Sequence, residues 1–266
     1  ISDSQGLGTV TDNADLPSIT VNDVTASESA GALIFTITKT GTTLQTSTVN
    51  YTTNDGSATG TNDFTATSGT VTFTAGQTQA LVTIAVTNDA IYEGTETFTL
   101  DLSGAANATI SDNQAIGTIT NDDAAPTITI DDVTANEEAG TMVFTVTKTG
   151  ASAVTTTVNY TTADGSATST NDYVTTAGTI TFTAGQTQAL ITVAVSNDAV
   201  FENNETFTID LSGAVNGTVS DNQGLGTITD NADLPTIAVN DVTTSESAGA
   251  LIFTITKTGT TLQTST

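Results

Sequence analysis

The sequence has no cysteine, histidine, tryptophan or arginine, and only three lysines among 266 residues. Each absence removes a class of function. Without cysteine and histidine there is no thiol chemistry, no imidazole-activated nucleophile and no ordinary zinc, haem or iron–sulfur site. Without disulfides, stability must come from packing, backbone pairing or bound metal. Three positive side chains face 29 acidic ones, for a net charge of -26. Such a chain is not expected to bind nucleic acid, because it has nothing to neutralise a phosphate backbone. Anionic membrane surfaces repel it. No run approaches the roughly 18 apolar residues of a membrane-spanning helix, so no membrane insertion is expected.

What is left for chemistry is oxygen: carboxylates, amides, hydroxyls and backbone carbonyls. These are ligands for a hard cation such as calcium. Charged residues make up only 12% of the chain, and threonine fills much of the gap. Threonine is β-branched and half-polar, which suits the solvent face of a pleated sheet.

The three prolines, Pro17, Pro126 and Pro235, are spaced 109 residues apart, and so are Lys39, Lys148 and Lys257. This internal period sets the domain organisation. Residues 1–16 read as the end of one repeat, 17–125 and 126–234 as whole repeats, and 235–266 as the start of another. Residues 236–266 match 18–48 at 28 of 31 positions, whereas 127–157 match 18–48 at only 17. Alternate repeats are therefore near-identical, and the full period is 218 residues. The expectation is a window on a longer array.

Within a repeat, apolar residues alternate with polar ones, as in Val82, Ile84 and Val86 or Phe98, Leu100 and Leu102. That is the pattern of half-buried strands. Seven strands are expected per repeat, near 18–23, 31–40, 45–54, 68–74, 78–87, 96–103 and 109–120. The fold class is all-β: tandem immunoglobulin-like seven-stranded β-sandwiches.

Acidic residues recur near strand ends. The first repeat has Glu28, Asp55, Asp63, Asp89, Glu93, Glu96, Asp122 and Asp123. The second has Glu137, Asp164, Asp172, Asp198, Glu202, Glu205, Asp230 and Asp233. Turns of a sandwich cluster at its two ends, so distant carboxylates can converge. Two readings stand: solvated loop decoration, or carboxylates gathered around a cation. Convergence without a counter-ion costs roughly 4 kcal/mol per pair at 4 Å and an effective dielectric of about 20.

The run from Asn88 to Ser103 (Asn-Asp-Ala-Ile-Tyr-Glu-Gly-Thr-Glu-Thr-Phe-Thr-Leu-Asp-Leu-Ser) resembles the signature of the Calx-beta domain. Asp63-Phe64, the segment Gly69 to Thr78 and the exit Asn121-Asp122-Asp123 follow the same family order. Asn197 to Glu202, Asp172-Tyr173, Gly178 to Thr187 and Asp230 to Asp233 repeat them. The family occurs in the regulatory regions of sodium–calcium exchangers and in large bacterial surface proteins. The resemblance implies calcium (Ca2+) ligands at Glu28, Asp63, Asp89, Glu93, Asp122 and Asp123. In the second repeat it implies Glu137, Asp172, Asp198, Glu202, Asp230 and Asp233. Asn88, Ala90 and the exit Asp230-Asn231-Ala232-Asp233 depart toward fewer carboxylates. A cation at the exit would also meet the next repeat's first turn, at Asp131 and Asp132.

Lys39 shares the inward parity of Phe35 and Ile37. Its stem is expected to cover the sandwich edge while the ammonium reaches water. Glu93 and Glu96 could in principle act as a glycosidase pair, but the same pair recurs in each whole repeat, so no enzyme is expected. The reading that follows is an extracellular, cell-surface, calcium-stabilised stalk or filament. Its partners are neighbouring repeats or copies of itself. The alternative is an adhesin module that binds host surface or matrix glycans.

Overall fold

The computed structural model describes residues 5–10 and 15–264. Its contacts divide the chain into two compact units, Ile1–Asp123 and Ala124–Thr266. Each contains one β-sandwich. Among the described residues no helix is long and apolar enough to cross a membrane.

In the first sandwich one sheet has four strands, in the order Gln79–Ala85, Ala32–Thr40, Ser18–Val21, Thr109–Ile110. The other has five: Val24–Ser27, Gln114–Thr120, Glu96–Ala106, Ser47–Asn54, Ser68–Phe73. The second sandwich repeats both sheets 109 residues later, from Thr127–Ile130 to Gln223–Thr229. Each of the seven expected segments contains a strand; the last divides between the two sheets, and Val24–Ser27, outside the expected segments, follows the first in the other sheet.

Two adjacent side chains make the change of sheet between Ser18–Val21 and Val24–Ser27 possible. Asn22 Oδ1 accepts from the Thr36 amide at 2.7 Å in one sheet. Asp23 Oδ1 accepts from the Ile116 amide at 2.7 Å in the other. The pair satisfies backbone donors where the strand leaves one ladder for the next. Asp131 and Asp132 do the same for Thr145 and Leu225, at 2.6 and 2.7 Å. The structure thus gives Asp131 and Asp132 a folding role that the sequence reading had not assigned to them.

Alternation along the strands sends one face inward. Phe35, Phe64, Phe73 and Phe98 are buried in the first core, and Phe144, Tyr173, Phe182 and Phe207 in the second. Phe98 stacks on Phe64 at 4.2 Å and meets Phe35 edge-on at 6.0 Å. Phe207 repeats both contacts with Tyr173 and Phe144. Such pairs add roughly 0.5–1.5 kcal/mol beyond area burial.

The lysines depart from expectation. Lys39 is 3% exposed and Lys148 2%, and the Lys148 ammonium is buried. Lys39 Nζ lies 5.5 Å from the centre of the Phe73 ring, and Lys148 Nζ 5.9 Å from that of Phe182. Inward parity prevails over snorkelling because an aromatic face receives the charge.

Residues 5–10 carry no strand, although they match the end of a repeat. Their equivalents in Gln114–Thr120 lie between Val24–Ser27 and Glu96–Ala106. Residues 11–14 of the same fragment lie outside the described residues. The fragment 235–266 forms an antiparallel pair, Thr236–Val239 with Ile255–Thr258.

Candidate metal centre

Four short segments bring carboxylates together in the first sandwich. The turn 59–64 is tied to the core where Phe64 bridges Val86, and the Thr87 amide donates to the Asp63 carbonyl at 2.9 Å. Inside the turn, Asp63 Oδ2 accepts from the Thr59 amide at 2.6 Å. In the loop after Ala85, Asp89 Oδ1 accepts from the Ile91 amide at 2.8 Å, which curves the chain toward Glu93. The Glu93 amide then donates to Asn121 Oδ1 at 2.9 Å, which fastens the loop to the exit. Glu28 opens a single 3-10 turn closed by Gly31, whose φ of 73° favours glycine.

The result is two groups of three carboxylates, Glu28–Asp89–Asp123 and Asp63–Glu93–Glu96. Within each group, ligand oxygens lie within 4.8 Å of one another. Glu28 is buried at 4% exposure, and Asp123 Oδ2 is buried with no hydrogen-bond partner. Asp122, expected as a ligand, belongs to neither group. Its carboxylate accepts from the Ser29 hydroxyl, and its amide faces Glu28 Oε1 at 3.4 Å.

Among the described residues the second sandwich builds one such group, Asp172–Glu202–Glu205. Glu137, Asp198 and Asp230 line the same cavity, whose free space is about 10 Å³. That is room for about one small ion or water. Asp230 stands where the first repeat has Asn121, and both its oxygens are engaged, by the amides of Glu202 and Ala232. Asp233 is not among the residues around the cavity and stands beside the Asn231 amide. Ala232 occupies the position of Asp123, so the second repeat lacks that carboxylate.

Glu96 and Glu205 were not among the expected ligands, and the structure places each in an acidic group. A signal was available: both share the inward parity of Phe98, Leu100 and Leu102 or of Phe207, Ile209 and Leu211. An acid at an apolar-facing position requires a partner.

Electrostatics mark the same residues. Burial, then the charges of Asp63 and Glu93 and a hydrogen bond with Asp63, push Glu96 up to about 7. Burial, then Asp172 and Glu202, do the same for Glu205, also to about 7. Glu93 and Glu202 are raised by burial and by the acids around them. Glu28 and Glu137 are raised chiefly by burial, against the opposing effect of backbone amides. Among the described residues no side-chain cation stands among these groups to relieve them. An all-oxygen donor set with an orphaned buried carboxylate oxygen fits a hard divalent ion.

Fold and acidic loops together define a class: tandem β-sandwiches with carboxylates gathered by the loops of each. The Calx-beta domain model matches residues 11–123 and 120–232. The chain belongs to the Calx-beta family and carries two such domains in tandem. Sodium/calcium exchanger 1 of Mus musculus is 39% identical over 77 residues, and that of Canis lupus familiaris 38%. Each match covers 29% of this chain and only 8% of the exchanger's length. Similar folds occur in the crystal structure of CBD12 from CALX1.2, at 18% identity and a TM-score of 0.41. That match covers 79% of this chain and 99% of the other. A tetra-tandem repeat in the extending region of a large adhesion protein has 17% identity and a TM-score of 0.44. Here the coverage is 91% of this chain and 56% of the other.

Proposed function

We propose that the chain is a structural part of an extracellular or cell-surface stalk or filament, built from 109-residue repeats that calcium stabilises. The observation that carries this reading is the buried, unpartnered Asp123 Oδ2 beside Glu28 and Asp89, in a sandwich with a second acidic group. Glu28, Asp89 and Asp123 would hold one ion in the first repeat, and Asp63, Glu93 and Glu96 another. Asp172, Glu202 and Glu205 would hold the ion of the second, with Glu137, Asp198 and Asp230 around it. A divalent cation supplies neutralisation that no side chain of the protein provides. The residues themselves tie four distant segments, the entry turn, the turn before the fourth expected strand, the loop after the fifth and the exit, into one end of each sandwich. Repeats of this kind stack in one dimension, so neighbouring repeats or further copies are the natural partners. An acidic pair that recurs in each domain serves a repeated structural need better than catalysis.

Thermal melts with calcium and with chelator test the reading. A ligand that binds only the folded state at about 100 times its Kd stabilises by about 2.7 kcal/mol. For a domain of this size that raises Tm by about 10–20 °C. An unchanged midpoint at saturating calcium would sink the proposal. Scattering with and without chelator tests the stalk separately: calcium should increase the maximum dimension.

A further inference from the structure

Within the second compact unit, the fragment 235–266 does more than form its own strand pair. Thr260 and Thr261 lie parallel to Val200 and Phe201, the two-residue edge inside the acidic loop of the sandwich before them. Thr260 Oγ1 donates to the Ala199 carbonyl at 2.8 Å, and Thr261 Oγ1 to the Phe201 carbonyl at 3.1 Å. The Thr261 hydroxyl also accepts from the Gln263 amide at 3.0 Å, which turns the chain back toward the sandwich. Gln263, Leu262 and Thr264 then line a cleft with Glu202, Asn203 and Glu205. There the Gln263 side-chain nitrogen is buried without a partner.

The same tetrapeptide, Thr-Thr-Leu-Gln, occurs at Thr42–Gln45. Its local turn is the same, since the Gln45 amide donates to Thr43 Oγ1 at 3.1 Å. Its surroundings differ. No strand pairs with it among the described residues, Gln45 is exposed, and Leu44 is 96% exposed. The difference therefore lies in the presence or absence of a partner edge and not in local sequence.

We infer that Thr-Thr-Leu-Gln is a docking strand. The start of one repeat lays it on the Val–Phe edge of the repeat before it, and Thr42–Gln45 is the same surface for the edge of a preceding repeat. The partner is thus another repeat of this chain that presents Asn-Asp-Ala-Val-Phe-Glu, as residues 197–202 do. This is β-strand addition on a minimal edge: main-chain pairing gives attachment, and the two threonine hydroxyls fix register. The docking carries Gln263, with two amide donors, to the cleft beside Glu202 and Glu205. The middle repeat reads Ala151-Ser152-Ala153-Val154 at these positions. It lacks the first hydroxyl and the amide, so only alternate repeats carry the complete Thr-Thr-Leu-Gln sequence. The inference rests on the tandem-array reading only for the identity of the partner.

Amide exchange by NMR on the whole chain tests it, with calcium and with chelator. The two tetrapeptides are internal controls for each other, because their intrinsic exchange is the same. Amides of Thr261–Gln263 should exchange at least about tenfold more slowly than those of Thr43–Gln45. The double variant Thr260→Val, Thr261→Val should abolish that difference while core amides around Phe207 stay protected. A chain extended by placing a copy of residues 126–218 before residue 1 should bring Thr43–Gln45 to the slow rate. Equal rates for the two tetrapeptides in the unmodified chain would overturn the docking strand, even if calcium still raises Tm. Fast exchange at Thr43–Gln45 in the extended chain would overturn the assigned partner. Slow exchange at Thr261–Gln263 with no calcium effect on Tm would instead sink the proposed function and leave the docking intact.

Discussion

Replacing Glu96 and Glu205 by glutamine should stabilise the calcium-free protein and weaken the calcium-loaded one. Both carboxyls titrate near 7, above their ordinary 4.5. The folded chain therefore binds protons that the unfolded chain has released. By linkage their favourable contribution is complete below about pH 4.5 and is lost as pH rises through about 7. A displacement from 4.5 to 7 corresponds to roughly 3 kcal/mol per group. Water at these partly open sites screens that to roughly 1 kcal/mol per sandwich. Glutamine mimics the protonated form, keeping a donor for Asp63 or Asp172 without a charge. In chelator at pH 8 the double variant should melt about 4–8 °C higher than the parent. At pH 4 the two should coincide. With saturating calcium the order should reverse, because one oxygen ligand of each group has lost its charge. Differential scanning calorimetry at the two pH values, with and without calcium, reads all of this. A variant that melts lower than the parent in chelator at pH 8 would refute the repulsion argument.

Further outcomes follow from other parts of the structure. A methyl group on Gly117 would lie 2.5 Å from the Phe98 ring, and on Gly226 the same distance from Phe207. Gly117→Ala or Gly226→Ala should therefore cost about 1–3 kcal/mol by overpacking, read as a lower denaturant midpoint with unchanged m-value. Lys148 Nζ is buried without a hydrogen bond, so Lys148→Met should stabilise by about 1 kcal/mol in a urea melt. Ala232→Asp restores the carboxylate present at Asp123, at a φ of 72° that aspartate tolerates better than alanine. Calorimetric titration should then show a higher calcium stoichiometry than in the parent.

The strands were legible because period-two alternation is a direct imprint of burial on one face. Phe98, Leu100 and Leu102 could be assigned to a core before any coordinates. The same pattern is silent about neighbours. Nothing in the alternation of Ile19 and Val21 announces that the chain leaves one sheet at Asn22-Asp23 and joins the other. That information lies in two side-chain oxygens and the amides they meet, 14 and 93 residues away. The site divides in the same way. Asp63, Asp89 and Glu93 sit in turns, where their residue types are conspicuous. Glu96 begins a strand, where only its parity with Phe98, Leu100 and Leu102 marks it as an acid on the inward face. Asp122 looked equivalent to Asp123, and the two are separated only by which way the exit turns.

The burial of Lys39 and Lys148 has a practical consequence. Trypsin cuts after lysine or arginine, and this chain offers no arginine and three lysines. In both whole sandwiches the recognised side chain points into the core, so cleavage there must wait for the fold to open. Lys257, on the fragment, is exposed. Limited tryptic digestion should therefore first trim the last nine residues, including the docking strand. Thereafter it should proceed only as fast as the sandwiches unfold, making two buried lysines a built-in clock for global opening.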